Sequence, residues 1–385
     1  MRRRERLRRY FLQACKHRSV PMQLFDLIHH KLKINTHWEA YYRFGFYRGD
    51  KSWDERSRYV TYEGSRYWPW EGNSLGFDRL FLLKSLQKSI LIANNLPTPP
   101  LLMKVGRDYA INTIDLFRTA MADVDRPVMT KFDGGGSGVG IYSIAPENGS
   151  FRCGDRVVDA DWIWSQYESA MQRGFLVEEK ARNHATLDAV NPDSLNTLRM
   201  TTVKTADGKW HLILPYVKFG RSGSHVDNLD AGGLYAAVDS SGVVVGAAYD
   251  KDSIEPFEKH PDSGAAITGF QVPFFEDACQ LAIAASQTFG FMATIAWDVG
   301  ITPDGPTIIE GNPYWDPEGK QDQMGPFLSA EVAAGIAPRA WFTPWDRTHM
   351  YPHYMKDTHG GWWQRALARR RRRWGTKLQR RLSPK

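Results

Sequence analysis

Apolar residues recur at two periods along this chain, and the switches between them outline its elements. From Gln23 to Leu32 the spacing predicts a helix, followed by an irregular aromatic segment that runs to WPW at residue 70. A second helix is predicted from about Phe77 to Asn94, where NNLPTPP stops it. PLLMKV then alternates as a short strand, TIDLFRTAMAD as a helix and PVMTKF as a strand. IYSI reads as a strand, residues 161–172 as a helix and FLVEEK as a strand. The second half is richer in strands: TLRMTTV, WHLILPYVKF, GLYAAVD and VVVGAAY alternate with turn sequences such as ADGK and SSG. A helix over Phe274 to Phe289 leads into the hairpin MATIAWDVGITPDGPTIIEGN. Strands and helices mix without regular alternation, which predicts an α+β fold of separate lobes.

Both ends carry a different pattern. Leu7, Tyr10, Phe11 and Ala14 form a helical stripe among arginines, and Trp363, Ala366, Leu367, Trp374 and Leu378 form another. The first twenty residues hold eight Lys or Arg against one acid, and the last twenty-five hold ten against none. The net charge is +7, so the body between the ends is acidic. A nucleic-acid enzyme carries its basic surface around a groove of the folded body, so this distribution argues against that class. Basic amphipathic helices can lie on an anionic membrane surface or simply dock with a solvated basic face. Cys15, Cys153 and Cys279 are too far apart for metal spacing, and no signal peptide is evident. A cytoplasmic protein is expected, peripheral on the inner membrane face if the ends bind lipid. The apolar run from Leu281 is broken by polar residues and reads as a helix then a strand.

Two stretches carry candidate chemistry. KFDGGGSGVG, from Lys131 to Gly140, holds five glycines in ten residues. Glycine lets backbone N–H groups converge on an anion, but a loose hairpin tip has the same composition. A P-loop is excluded because Lys131 precedes the glycines, and a dinucleotide turn because a strand follows them. The hairpin around Pro303-Asp304-Gly305 is the second. A turn centred on Asp304 sets Asp298 opposite Glu310, with Cβ atoms roughly 5 Å apart. Asn312 projects from the same face. Facing carboxylates repel unless neutralised, and an oxygen-only set suits Mg²⁺; a solvated hairpin is the plainer reading.

Taken in order, the motifs resemble the ATP-grasp superfamily, and most closely the sugar-transfer-associated group found with bacterial polysaccharide biosynthesis. They are LPTP, the lysine and glycine loop at 131–140, VEEKARNH at 177–184 and NPDSLNTLRMTTV at 191–203. GRSGSHVDNLDAGG at 220–233, HPDSG at 260–264 and AWDVGITPDGPTIIEGN at 296–312 complete the series. The resemblance implies two α+β lobes holding ATP between them, with helical N- and C-terminal extensions. Residues 1–75 would be a basic, aromatic N-terminal region, 76–340 the ATP-grasp region with a hinge near 178–181, and 341–385 a basic tail.

It also implies roles. Lys131 would contact the α- and β-phosphates, with Gly134, Gly135, Gly136, Ser137 and Gly138 closing over them and Lys104 as a second phosphate-side lysine. Glu178 with the backbone of Glu179 and Lys180 would form the adenine hinge, and His184 or Asp188 would meet the ribose. Asp298, Glu310 and Asn312 would hold Mg²⁺, Arg199 would sit by the γ-phosphate, and Arg221 and Asn228 would line the acceptor side. The family often has a lysine in the helix before LPTP, where Asp78 and Arg79 stand here. The activity implied is ligation of a carboxylate to an amine through an acyl phosphate, on a sugar, peptide or polysaccharide precursor. A phosphotransferase, or a non-catalytic ATP-binding partner of a glycosyltransferase assembly, are the alternatives. Such chemistry rests on positioning and electrostatics, which fits a chain without a nucleophile triad.

Overall fold

A computed structural model describes residues 3–336, apart from 37, 62–72, 74–76, 78–80, 135–137, 139, 251–255 and 317–319. The C-terminal stripe, the tail at 341–385, Asp78, Arg79, Gly135, Gly136 and Ser137 therefore lie outside the described residues.

Two antiparallel sheets carry the α+β fold. The first contains β1 (Leu101–Val105), β2 (Val128–Phe132), β3 (Tyr142–Glu147), β4 (Ser150–Cys153), β5 (Arg156–Val158) and β6 (Phe175–Glu179). Its order is β1-β6-β2-β3-β4-β5. β4 and β5 stand where the sequence pattern predicted only a loop. Phe117, Met121, Ile163 and Tyr167, from or beside the helices Ile114–Ala122 and Ala160–Ser165, close the core on this sheet. The second sheet contains β7 (Thr197–Lys204), β8 (Trp210–Phe219), β9 (Leu234–Ala237), β10 (Thr294–Thr302) and β11 (Gly305–Asn312), in the order β11-β10-β7-β8-β9. VVVGAAY makes isolated bridges rather than the predicted strand.

Strand alternation divides the second sheet into two unlike faces. Leu198, Met200, Val217, Phe219, Trp297, Val299 and Ile308 point one way, into a core shared with the helix Phe275–Thr288. Arg199, Tyr216, Lys218, Asp298 and Glu310 point the other way.

The helix predicted from Phe77 to Asn94 is interrupted: Phe77 and Phe81 are helical, Leu83 is extended, and a second helix starts at Lys84. Asp133 fixes that start: it is fully buried and accepts from the Ser85 N–H at 3.0 Å, the Ser85 hydroxyl and the Tyr109 hydroxyl. The helix Lys84–Ala93 then turns a mostly polar face inward, beside the core residue Leu91. Lys84, Ser85, Gln87 and Lys88 are buried, while Leu86 and Ile92 are exposed. The Gln87 side chain holds the Gly311 backbone by donating to its carbonyl at 2.8 Å and accepting from its N–H at 2.9 Å.

Residues 3–61 form a helical and aromatic layer around Tyr41, Phe44, Phe46, Tyr47 and Tyr59. In the helix Arg3–Cys15, Ala14 is fully buried and Tyr10 packs against this layer, so this part of the stripe docks on the body. His30 stacks on Phe46, donates from Nδ1 to the Asp26 carbonyl at 2.7 Å and accepts at Nε2 from Arg56 at 2.9 Å. Burial lowers its pKa to about 4.

Two outcomes follow from this packing. The unfolded chain takes up the His30 proton as pH falls below about 6.5, whereas the folded chain resists until about 4. Acidification across that window therefore removes on the order of 3 kcal/mol of stability, and His30→Gln, which does not titrate, flattens the difference in urea melts between pH 7 and pH 4.5. The second concerns Gly311, where a Cβ would lie 2.5 Å from Trp297 Cζ3 and 2.8 Å from Phe81 Cζ, both rings buried. Gly311→Ala should lower stability by about 1–3 kcal/mol, read as a lower urea midpoint at unchanged slope.

Candidate functional site

The hairpin brings its acidic residues together through two deviations that cancel. Thr302 pairs with Gly305, so the turn is Pro303-Asp304, and simple counting would set Asp298 opposite Ile309. An irregularity between Asp298 and Val299 leaves Ile309 unpaired and restores Asp298 opposite Glu310. On its other side Asp298 faces Arg199 of β7.

Each carboxylate is buried against cations. Asp298 Oδ1 lies 3.0 Å from Arg199 Nε and 2.9 Å from Lys218 Nζ, although the arginine contact is poorly angled for a hydrogen bond. Lys218 also reaches Asp227 at 3.2 Å, and Asp227 is anchored by the Thr197 N–H at 2.9 Å. Glu310 Oε2 pairs with Lys84. Burial alone would raise the Glu310 pKa, but Lys84 and Lys131 bring it down to about 2. For Lys84, burial pushes downward and Glu310 outweighs it, so the ammonium is held above its ordinary value. Asp227 and Asp298 do the same for Lys218.

The remaining oxygens are differently placed. Asp298 Oδ2 and Glu310 Oε1 each lie 3.4 Å from Nδ2 of Asn312. Amide oxygen and nitrogen are exchanged by a half-turn of the side chain. That half-turn turns an amide oxygen, in place of the nitrogen, toward the two carboxylate oxygens. Three hard oxygen donors then converge, a set that fits Mg²⁺.

Facing this cluster, Lys131 from β2 and Lys88 from the Lys84–Ala93 helix both pair with Glu178, Lys88 at 2.8 Å. Glu178 is only 4% exposed and its carboxylate points at these lysines. A buried carboxylate needs such counter-charges. Burial would raise its pKa, and the two ammonium groups more than reverse that. Lys88 also donates to Thr98 Oγ1 and the Pro99 carbonyl, and burial lowers its pKa to about 8. The N–H groups of Glu179 and Lys180 are engaged by the carbonyls of Pro100 and Pro127.

Other expected residues are placed apart. Lys104 donates to Ser89 on the helix surface. His184 caps the helix Ala185–Asp188 and packs edge-on against Phe274. Arg221 forms a two-point pair with Asp262 at 2.7 and 2.9 Å rather than joining the charged row. Asn228 caps a turn, and its Nδ2 lies 3.4 Å from where a Cβ on Gly138 would be, so the glycine loop meets the 226–228 segment across the lobes. Gly134 and Gly138 both take positive φ, +99° and +73°.

Lys84, Lys88, Lys218, Asp227 and Lys320 were missed in the sequence. Lys84 and Lys88 sit four apart on what reads as a solvent face of KSLQKSILIA. Lys218 had a signal, a lysine between Val217 and Phe219 in a strand. Lys320 is 4% exposed, lies over the rings of Tyr216 and Tyr235, and pairs with Asp316 at 3.3 Å.

Among solved structures the chain is similar to the D-alanine–D-alanine ligase of Bacillus anthracis, at 14% identity and TM-score 0.36 over 66% of this chain and 62% of that one. It is also similar to the VanG D-Ala:D-Ser ligase of Enterococcus faecalis, at 12% identity and TM-score 0.40 over 66% and 59%. An ADP complex of purK, an N5-carboxyaminoimidazole ribonucleotide synthetase, aligns at 12% identity and TM-score 0.42 over 67% and 52%. The chain spans less than two thirds of the length of each. No curated protein matches it. The profile of sugar-transfer associated ATP-grasp proteins, however, matches residues 78–325, the whole stretch that builds both sheets and the charged cluster between them. The chain belongs to the sugar-transfer associated ATP-grasp family.

Proposed function

We propose that this protein is an ATP- and Mg²⁺-dependent ligase that joins a carboxylate to an amine, on a sugar, peptide or polysaccharide precursor. The observation that carries the reading is the convergence of Asp298 Oδ2, Glu310 Oε1 and the Asn312 amide within a row of buried cations. Asp298, Glu310 and Asn312 would hold Mg²⁺, which supplies charge neutralisation for the β- and γ-phosphates. Lys131 meets the phosphates from the first sheet, beneath the glycine loop that begins at Gly134. Arg199 and Lys218 stand one and two strands further along the same face, where a substrate carboxylate approaching the γ-phosphorus would find positive charge. Attack there forms an acyl phosphate and releases ADP, and the amine then displaces inorganic phosphate. Lys88 and Gln87 act as positioning residues, the first through Glu178 and the second through the Gly311 backbone between two metal ligands.

Calorimetry of ATP with Mg²⁺ should show that Glu310→Gln and Lys131→Met each weaken metal-dependent binding at least tenfold, about 1.4 kcal/mol. Glu310→Gln also strands the buried Lys84 and should cost about 3 kcal/mol of stability, so binding is measured at a temperature where circular dichroism shows both variants folded. Wild-type affinity in Glu310→Gln would remove Glu310 from the metal site. With carboxylate and amine pools present together, ADP and inorganic phosphate should appear in equal amounts. A stable phosphoester product would make the protein a phosphotransferase, and nucleotide binding without turnover a binding partner.

A further inference from the structure

The helix Val20–Ile34 turns the wrong face to the protein. Gln23 and His30 are buried together with Ile34, at 1%, 2% and 3% exposure. Leu24, Phe25, Ile28 and Leu32 are 58%, 63%, 62% and 60% exposed. At helical spacing these four fall within an arc of about 100°, the width of a stripe that normally faces a core. Among the described residues no acid lies on that arc. Asp26, the only acid of the helix, is turned inward to Arg18 and the Tyr41 hydroxyl. Val20 and Met22 near its start are also half-exposed, as is Trp38 just beyond its end. The preceding helix, Arg3–Cys15, exposes Phe11 and Leu12 together with Arg8 and Arg9.

We infer that this helix lies in the plane of an anionic bilayer, with Leu24, Phe25, Ile28 and Leu32 among the acyl chains. Charge selects this occupant. The helix carries Lys31 and Lys33 in its last turn, and the first twenty residues of the chain hold eight cations against one acid. A second copy would set the same cations against each other, and the last twenty-five residues of the chain, with ten cations and no acid, are repelled in the same way. An anionic bilayer offers hydrocarbon to the stripe and phosphate to the long basic side chains at once. Fifteen residues make a helix of about 22 Å, too short to cross about 30 Å of hydrocarbon but suited to sink about 5–10 Å into the headgroup boundary. No helix among the described residues is long and apolar enough to cross a membrane. This inference stands apart from the ligase reading, because neither ATP nor turnover enters its test.

The test uses the full chain with vesicles of phosphatidylcholine, alone or with phosphatidylglycerol. Wild type should sediment with the anionic vesicles, and Phe25→Glu with Ile28→Glu should lower the partition coefficient at least tenfold while circular dichroism stays unchanged. A second measurement separates the helix from the basic C-terminal residues. In a Cys15→Ser background, an environment-sensitive fluorophore on Ile28→Cys should brighten and shift to the blue on anionic vesicles, while the same probe on Asp304→Cys stays constant. Binding with no change at residue 28 would assign the contact to the basic tail and overturn the inference. So would an absence of vesicle binding in a protein whose dimer, by light scattering, is dissolved by the Phe25→Glu and Ile28→Glu pair.

Discussion

The fold depends on burying charge between two sheets without leaving any of it alone. An isolated ion costs several kcal/mol to desolvate, so each carboxylate in this space is met by more than one cation or by a cation and an amide. Glu178 takes Lys88 and Lys131, Glu310 takes Lys84 and sits beside Asn312, and Asp298 takes Arg199 and Lys218. Most of these pairs join elements far apart in the chain. The helix Lys84–Ala93 contributes to both lobes, through Lys88 to the first sheet and through Lys84 and Gln87 to the second. Asp133, at the foot of the glycine loop, fixes where that helix starts, so the loop and the acidic hairpin share one support.

Such a network has a chemical consequence. Before any ligand binds, the cations that would meet phosphate are already charged and held by carboxylates, so the site needs little rearrangement of its own dipoles and charges. Under the proposed function, Mg²⁺ and a polyphosphate would enter as a nearly compensated pair, and the buried ion pairs would not be stripped of all their partners. The inverted face of the helix is what permits this. A conventional amphipathic helix at the same place would offer leucine and isoleucine to Glu310 and Glu178, leaving Glu310 without its paired lysine and Glu178 with Lys131 alone.

The same inversion occurs in the helix Val20–Ile34 with a different outcome. There the buried polar residues, Gln23 and His30, donate to the backbone carbonyls of Arg18 and Asp26, and the apolar stripe is left outside. In both helices the period of the hydrophobic pattern identifies the helix, and the tertiary partners decide which side faces in.

Local chemistry determined a good deal by itself. Alternation along β7, β8 and β10 separates Arg199, Lys218 and Asp298 from the core residues between them, and the spacing across Pro303-Asp304-Gly305 puts Asp298 near Glu310. Those features depend on neighbours within one or two strands, where periodicity is a sufficient guide. The order of motifs was likewise legible, and with it the family. Tertiary structure decided the rest. The bulge at Ile309 sets the final register of the Asp298–Glu310 pair, Asp133 fixes where the second helix starts at Lys84, and Lys84, Lys88 and Lys320 are drawn inside. A lysine on a polar helical stripe reads as solvated because water is its cheapest partner. A carboxylate brought to it by the fold, as Glu310 is brought to Lys84 and Glu178 to Lys88, makes the interior the better place for it.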